Sequence, residues 1–381
     1  MKQQYNTYAD QEKRVMEKHP ELKAMRCISL DRASLDSETL SQFIEMCWTK
    51  DYGSENRIVF TPAFLNWSTG EAPRGKAVLT EEGKILGAVV YFQRKYEHRG
   101  RHIHYAIETG LSVHPEYRGL GIAQWLSLKL KWALKENNLD FSLVWYDTRH
   151  NTSSSSFQIF AMKKPNPHGL MPIRLMSRIF DYDNAVVNLP LNPVERMALK
   201  IRTGYDVRFP AAGLPAGFRI ETFSSGRTDA YMEFLNRYRD KNGCKFIPTA
   251  EDLSRWRENT YGPAGFHALV HTGKNRRQRI EALYFGHKVR AAHGCRYFQA
   301  DGILLCPDLE KRVARAFLRT VESRLCEEEN CFCTIVPDTG GGRHLDRLGY
   351  RLLVQQHLGM ESYRPSNTTL ADLKQGWLEL R

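Results

Sequence analysis

The chain has 381 residues, of which 42% are hydrophobic and 11% aromatic, and it carries a formal net charge of +12 at pH 7. This length exceeds one typical hydrophobic core and predicts two domains of roughly 150 to 200 residues each. The apolar content excludes an intrinsically disordered chain. The basic charge favours anionic partners, which include nucleic acid, anionic lipid, the ribosome and phosphorylated cofactors, and its sign alone does not choose among them.

The sequence shows neither a targeting segment nor a metal-binding pattern. No run of about 18 apolar residues occurs, and the first 25 residues are charged where a signal peptide would be apolar. We therefore expect a cytoplasmic protein without a membrane span. The 8 cysteines form no CxxC pair and no repeated spacing, so neither a zinc site nor a disulfide framework is indicated, and we expect no metal.

The first half of the sequence predicts a helix, three strands, a second helix and a fourth strand. "SETLSQFIEMCW" has its apolar residues at helical spacing, with Ser37 as a candidate N-cap. "KAVLTEEGKILGAVVYFQRKY" predicts a β-hairpin, and "RHIHYAIETGLSVHP" predicts the third strand. A helix from about Gly119 to Lys135 follows, and "LDFSLVWYDT" is β-branched and aromatic enough to be a buried strand.

The same order of elements recurs in the second half of the sequence. "TDAYMEFLNRY" predicts a helix, "FHALVHTGKNRRQRIEALYFGHKV" a hairpin, "CRYFQADGILLCPD" a strand, "LEKRVARAFLRTVESRLCEE" a helix and "CFCTIVPD" a strand. The strands before the two long helices align without gaps at a constant offset of 192 positions, the difference between 297 and 105. We therefore predict a tandem repeat. The aligned pairs are Tyr105 with Tyr297, Gly110 with Gly302, Val113 with Leu305 and Pro115 with Pro307.

These patterns predict five segments. Residues 25–185 form a first domain and residues 218–364 a second, with a linker at 186–217 that is rich in Pro and Gly around one short helical piece. Residues 1–24 and 365–381 are an N-terminal extension and a C-terminal tail to which the sequence assigns no role.

One short stretch, "LSVHPEYRGLGIAQWL" at residues 111–126, combines the end of a strand with a glycine-rich turn and the start of a helix. The first backbone N–H groups of a helix have no partner within it, and glycines at 119 and 121 let a ligand come close to them. The helix dipole and the charge of Arg118 also favour a negative charge at this place, so we expect the turn to bind an anion such as pyrophosphate. Rossmann and P-loop sites use the same physics, but neither of their fingerprints is present.

The stretch resembles the acyl-CoA-binding motif of the GCN5-related N-acetyltransferase (GNAT) superfamily. That motif has the pattern [Q/R]xxGx[G/A], here Arg118, Gly121 and Ala123, and the preceding LxVxP is Leu111, Val113 and Pro115. The order of the predicted elements also matches the superfamily. The resemblance implies an α/β fold with a mixed sheet, in which two tandem GNAT-like domains each have a mostly antiparallel central sheet flanked by helices.

The resemblance also assigns the binding of acetyl-CoA or another acyl-CoA. In the superfamily this strand bulges and splays from its neighbour so that pantetheine lies against free strand amides, and Gly110 suits such a bulge. The Val113 amide would face the thioester oxygen. The resemblance thus implies pantetheine contacts from Leu111, Ser112 and Val113, and pyrophosphate contacts from Arg118, Gly119, Leu120, Gly121, Ile122 and Ala123.

The catalytic groups are less clearly marked. Glu108 resembles in position the strand carboxylate that many members use as a base, although an ordinary strand carboxylate explains it as well. The superfamily often has an asparagine with a tyrosine seven positions later that protonates the thiolate. Here Asn151 fits, but residue 158 is glutamine, so the usual acid is absent. Tyr146, on the preceding strand, is a candidate substitute, or simply an aromatic residue of a buried strand.

The second copy departs from the motif at each phosphate-binding position. At the same offset a glutamate, a lysine, a valine and an arginine replace the motif residues, and we expect this domain to bind CoA poorly. Its role would then be to complete the acceptor cleft or to stabilise the first domain. The replacements are Glu310 for Arg118, Lys311 for Gly119, Val313 for Gly121 and Arg315 for Ala123.

Three functions remain open at this level. The first is an acyl-CoA-dependent N-acyltransferase whose acceptor is an amine-bearing small molecule, a peptide or a protein. The second is a non-catalytic CoA-binding sensor or scaffold, which the missing tyrosine favours. The third is a nucleic-acid or ribosome-associated protein, but the one basic tract, "KNRRQR" at residues 274–279, has the pattern of a solvated hairpin tip. Binding to nucleic acid is therefore the least favoured of the three.

Overall fold

The computed structural model describes residues 8–363 except 31–34, 53–57, 70–73, 99, 147–169, 190, 209–212, 243–245, 257–263, 274–277, 292–293, 295, 339–344 and 346–347. The helices of this part of the chain are α1 (Tyr8–Lys18), α2 (Ser37–Tyr52), α3 (Pro62–Thr69), α4 (Ile122–Glu136), α5 (Tyr182–Asn188), α6 (Pro193–Arg208), α7 (Thr228–Asn242), α8 (Ala250–Leu253) and α9 (Lys311–Glu327). The strands are β1 (Arg26–Ser29), β2 (Ile58–Val59), β3 (Gly75–Leu79), β4 (Ile85–His98), β5 (Arg101–Val113), β6 (Phe141–Tyr146), β7 (Leu170–Ile179), β8 (Phe218–Thr222), β9 (Phe246–Pro248), β10 (Ala264–Thr272), β11 (Gln278–Ala291), β12 (Arg296–Leu305), β13 (Cys331–Asp338) and β14 (Arg351–Ser362).

The described strands form one mixed sheet that runs through the whole molecule. Its order is β1-β3-β4-β5-β6-β14-β7-β13-β12-β11-β10-β8, with β2 paired to β11 and β9 paired to β4. The pairs β5–β6 and β12–β13 are parallel, and the neighbours before them in each half are antiparallel. The predicted hairpins are present as β3–β4 and β10–β11. This confirms the predicted α/β class, with a mixed sheet and two GNAT-like halves in tandem.

Side-chain alternation along β5 places a different core on each face of the sheet in the first half, the elements up to β7. Tyr105 and Ile107 pack with α2 and α3 on one face, whereas Ala106 lies on the opposite face, which α4 covers. Helix α4 buries one stripe because its large apolar residues recur three or four positions apart. That stripe consists of Ile122, Trp125, Leu126, Leu130 and Leu134.

The second half, from β8 onward, repeats this layering. Helix α9 covers one face with Val313, Phe317 and Val321, which pack against β10, β11 and β12. The opposite face carries α7 and α8, where Phe234 packs with Phe285 of β11. In each half the helix that follows the third long strand, α4 or α9, therefore covers one face of the sheet, and two other helices, α2 with α3 or α7 with α8, cover the opposite face.

The two halves exchange strands where they meet. The last strand of the second half, β14, lies between β6 and β7 of the first half. Strand β7 in turn pairs with β13 of the second half. Because each half completes the sheet of the other, the core of neither half is closed by its own strands alone.

The segments at the predicted domain edges also contain regular structure. In the predicted linker, α6 spans Pro193–Arg208, and α5 overlaps the expected boundary near residue 185. The N-terminal extension contains α1, which packs against α4, since Glu12 accepts hydrogen bonds from Trp125 Nε1 at 2.9 Å and Lys129 Nζ at 2.8 Å. Within the described part of the chain, none of the helices combines the length and apolar character needed to cross a bilayer.

Candidate functional site

Strand β5 bulges at the glycine where the sequence predicts it. Ser112 lies opposite Ala88 and Thr109 lies opposite Val90, so one extra residue is accommodated on β5 between these two pairs. Gly110 has φ of +63°, a conformation that L side chains rarely adopt, and a Cβ there would lie 2.9 Å from Val90 Cγ2. The position therefore requires glycine for both its backbone and its packing.

Beyond this bulge β5 and β6 separate. Their parallel pairing runs from Tyr105 opposite Phe141 to Glu108 opposite Val144 and stops there. Strand β5 nevertheless continues to Val113, and β6 continues to Tyr146. We call the gap between residues 109–113 of β5 and the end of β6 the wedge. Among the described residues, no strand pairs with residues 109–113 of β5 on this side.

The backbone of β5 turns amide hydrogens into the wedge. The N–H of His114 donates to the carbonyl of Leu86 at 2.8 Å, so it points towards β4. Because successive amides along a strand point to opposite sides, the N–H of Val113 points away from β4 and into the wedge. The amide of Leu111, two residues earlier, shares this direction. These are the two amides that the resemblance assigns to pantetheine.

The glycine turn lies at the open end of the wedge. Gly119 and Gly121 have φ of +83° and +77°, and Gly121 is the N-cap of α4. A glycine N-cap has no side chain to accept from the first turn, so the N–H groups of Ile122, Ala123 and Gln124 are left for another acceptor. A Cβ at Gly119 would meet nothing within 4 Å, so this side of the turn is open. The turn therefore has the geometry of an anion site.

The other side of the turn is covered by His19. A Cβ on Gly121 would lie 2.5 Å from His19 Cδ2 and 2.7 Å from its Cγ. His19 precedes the short 3₁₀ turn Pro20–Ala24, whose Leu22 is buried with the apolar residues of α4. The N-terminal segment therefore forms one wall of the predicted anion site, a role that its sequence did not indicate.

Two further side chains lie at the rim of the wedge. Arg118 Nε donates to the carbonyl of Val113 at 3.3 Å, and its Nη2 donates to the carbonyl of Cys47 at 3.5 Å. Trp48 Nε1 donates to the carbonyl of Leu111 at 3.5 Å. Arg118 is exposed, and it links the end of β5 to α2. The sequence marked Arg118 but missed Trp48, whose apolar spacing fitted an ordinary core helix.

Glu108 is buried at the closed end of the wedge, on the face covered by α4. Its carboxylate accepts hydrogen bonds from Ser142 Oγ and, at 3.4 Å, from Tyr363 OH. The Ser142 and Tyr363 hydroxyls are themselves 2.7 Å apart. Burial raises the pKa of Glu108, against the lowering effect of Lys131 and of the Ser142 hydrogen bond. The carboxyl therefore holds its proton to a higher pH than an exposed glutamate does.

A second carboxylate extends this buried polar cluster. Glu361 of β14 forms an ion pair with Lys131 of α4, and Tyr8 of α1 donates to Glu361 at 3.4 Å. Burial together with Glu361 raises the pKa of Tyr8, and burial together with Glu108 raises that of Tyr363. Both phenols are therefore neutral hydrogen-bond donors.

The remaining predicted site residues have mixed placements. Ser112 is buried, and its hydroxyl donates to the carbonyl of Gly110 at 3.1 Å. Ile122, the first residue of α4, has a buried core side chain, and the side chain of Leu120 packs partly against the same core. Tyr146 ends β6, and its backbone is opposite His357 of β14. Asn151 lies outside the described residues.

The equivalent turn of the second half is helical instead. Helix α9 begins at Lys311, with Glu310 as its N-cap, whereas the offset of 192 would place the start of a helix like α4 at Ala314. Val313 is accordingly buried inside the helix. The carboxylate of Glu310 complements the helix dipole and would repel a phosphate. Among the described residues, no three His, Cys, Asp or Glu side chains group in a way that could hold a metal ion.

Comparisons with known proteins agree with this architecture. Residues 38–157 match the Acetyltransferase (GNAT) family model. Saccharomyces cerevisiae N-myristoyltransferase with bound myristoyl-CoA is similar in structure, with a TM-score of 0.63 at 14% identity over 90% of this chain and 80% of that chain. A GCN5-related N-acetyltransferase from Sphaerobacter thermophilus has a TM-score of 0.51 at 14% identity, over 91% of this chain and 98% of that chain. No curated protein matches the chain in sequence.

The family match covers the segment that contains the bulge, the wedge and the glycine turn. The structural matches extend over both halves, and at 14% identity they speak for the fold alone. Residues 38–157 therefore match the GNAT family, and the chain as a whole has the fold of two GNAT-like halves in tandem.

Proposed function

We propose that the protein is an acyl-CoA-dependent N-acyltransferase, which transfers an acyl group from the thioester to a primary amine by direct attack. The observation that carries the proposal is the wedge, because β5 and β6 separate after Glu108 and Val144 while the Val113 amide turns into the gap. We propose a single orientation for an acyl-CoA bound in the wedge. Its diphosphate would lie at the turn of Gly119 and Gly121, and its pantetheine would lie along β5.

The groups around the wedge suit the chemistry of acyl transfer. Attack on a thioester places negative charge on the carbonyl oxygen, and a strand amide such as that of Val113 can donate to it. The amine loses a proton, and Glu108 at the closed end of the wedge is the proposed acceptor of that proton. Its raised pKa makes it a better base near neutral pH than an exposed carboxylate. Tyr146, at the end of β6, is the proposed donor to the departing thiolate.

The acyl group and the acceptor are proposed only as classes. Acetyl is the simplest acyl group, and the structural similarity to an enzyme crystallised with myristoyl-CoA makes a long chain worth testing. The acceptor is an amine-bearing small molecule or a peptide. A net charge of +12 is compatible with a substrate that carries several phosphates.

A coupled assay tests the proposal. The purified protein is incubated with acetyl-, octanoyl- or myristoyl-CoA and a panel of amines and peptides, and the released thiol and the acylated product are both measured. Native mass spectrometry of the purified protein, followed by denaturation, identifies any acyl-CoA that it carries. Saturable CoA binding without product from any acceptor would favour a CoA-binding scaffold. Salt-sensitive binding to RNA without CoA binding would reject both of these functions.

A further inference from the structure

The end of β14 brings two residues of the second half into the first. Its register places Glu361 opposite Ser142 of β6, and the N–H of Tyr363 donates to the carbonyl of Asp140 at 2.9 Å. These backbone contacts hold the two side chains on the side of the sheet that α4 covers. Glu361 and Tyr363 lie more than 200 positions from Ser142 in the chain, so the strand exchange alone makes this contact.

We propose that Glu361, on the strand contributed by the second half, and Tyr363, directly after that strand, are positioning residues for Glu108, so that the second half completes the catalytic site of the first. The inference rests on the proposed function, in which Glu108 is the base. Tyr363 donates to Glu108 directly at 3.4 Å, and it also contacts the Ser142 hydroxyl that donates to the same carboxylate. Glu361 acts on Glu108 through its negative charge and through its ion pair with Lys131.

The two residues act on Glu108 in opposite directions. The hydrogen bonds from Ser142 and Tyr363 favour the ionised carboxylate and lower its pKa, whereas the negative charge of Glu361 disfavours that form and raises it. Lys131 opposes Glu361 from α4. The hydroxyl of Tyr8, from α1, also contacts Glu361, so four elements contribute groups to the polar cluster around the Glu108 carboxyl. They are α1, α4, β6 and β14.

This arrangement predicts opposite shifts from two conservative substitutions. Tyr363→Phe removes a donor to the carboxylate, so we expect the pKa of Glu108 to rise. Glu361→Gln removes a like charge and leaves Lys131 facing Glu108, so we expect the pKa to fall. If Tyr363→Phe does not fold, Ser142→Ala removes the other hydroxyl and should shift the pKa in the same upward direction.

The measurement is an infrared titration of the protonated carboxyl band of the whole protein. Glu108→Gln identifies the band, since it should delete that band alone. The acid limb of the pH–rate profile for acyl transfer should move with the band in each variant, because the ionised form is the base. Tyr350→Phe is the matched control, because its hydroxyl contacts Glu322 of α9 at 3.2 Å, in the other half. It should leave the Glu108 band unmoved.

The outcomes separate the inference from the proposed function. Opposite shifts of the band with matching shifts of the rate profile support both. If acyl transfer is intact but Tyr363→Phe and Glu361→Gln leave the band and the profile in place, the inference is overturned and the proposed function stands. If the band shifts as expected but no amine is acylated, the proposed function is overturned, together with the catalytic role given to these two residues.

Discussion

The imidazole ring of His19 occupies the space that a side chain on Gly121 would need. His19 Cδ2 lies 2.5 Å from the ideal Cβ position, closer than real Cβ contacts allow, and Gly121 has φ of +77°. Position 121 therefore requires glycine for two independent reasons, one in the backbone and one in the packing of the N-terminal segment. Any substitution of Gly121 therefore alters the backbone of the turn and displaces the imidazole of His19 beside it.

The first prediction follows from this contact. Gly121→Val should weaken CoA binding at least tenfold, because a β-branched residue resists the left-handed conformation and pushes His19 from the turn. Isothermal titration with CoA measures the loss, and circular dichroism checks that the variant is folded. Val313→Gly is the matched control at the equivalent position of the second half, where it should cost stability and leave the Kd for CoA unchanged. Equal loss of CoA binding in both variants would contradict the assignment of the site to the first half.

The second prediction concerns how the N-terminal segment is held in place. Glu12 accepts hydrogen bonds from Trp125 and Lys129, and it is partly buried between α1 and α4. Glu12→Ala should lower the free energy of unfolding by about 1 to 2 kcal/mol, since a partly buried indole N–H loses its acceptor. It should also weaken CoA binding, because His19 follows the same helix.

The matched control for Glu12 is an exposed ion pair on the same helix. Lys13 and Glu17 are 78% and 64% exposed, and such pairs contribute little to stability. Lys13→Ala should therefore change the urea midpoint and the Kd for CoA by amounts within experimental error. An unchanged CoA affinity in Glu12→Ala would show that the N-terminal segment does not shape the site.

The local features of the site can be predicted from the sequence. Which residues of the second half contribute to the site cannot. Gly110, Gly119 and Gly121 could be assigned because each stands where a strand or turn needs a positive φ, and such needs depend on near neighbours. The apolar spacing of α4 likewise predicts its buried stripe. The helix begins at Ile122, later than the pattern suggested, because the glycines before it are left-handed.

Strand pairing is what the sequence could not supply. The sequence patterns predict no strand at residues 351–362, and local spacing does not show which strands lie side by side, so the contacts of Tyr363 with Ser142 and Glu108 could not be anticipated. The contact of His19 with the glycine turn is likewise long-range, and the sequence assigns no role to residues 1–24. Burial of Glu108 on the face of α4 also depends on this long-range pairing.

The third prediction concerns an ion pair between β7 and α9, which is the counterpart in the second half of the Glu361–Lys131 pair in the first. Arg178 lies on β7 and Glu322 lies on α9. The Nε of Arg178 is 3.2 Å from the Glu322 carboxylate, and the two side chains are 7% and 2% exposed. This mirrors, with reversed charges, the pair that β14 makes to α4. Glu322→Leu should lower the free energy of unfolding by about 3 to 5 kcal/mol, because it leaves a buried guanidinium without its carboxylate.

A double-mutant cycle measures that coupling by urea denaturation. Replacing both partners, as Arg178→Met with Glu322→Leu, should recover more than half of the loss, since no buried charge then remains uncompensated. If the two substitutions are simply additive, the pair does not couple the exchanged strand to α9.

The fourth prediction uses His267, which lies on β10 near Tyr284 in the second half. Burial, with a smaller effect of Arg324, lowers the pKa of His267 from 6.5 to about 4. Because the folded state disfavours the charged ring, its contribution to stability is present above pH 6.5 and is lost as the pH falls towards 4. The loss can reach about 3 kcal/mol. His267→Leu keeps an apolar side chain of comparable size and removes the titration, so the midpoint of urea unfolding should depend less on pH across this window. An equal dependence in the variant and the parent protein would assign acid sensitivity to other groups.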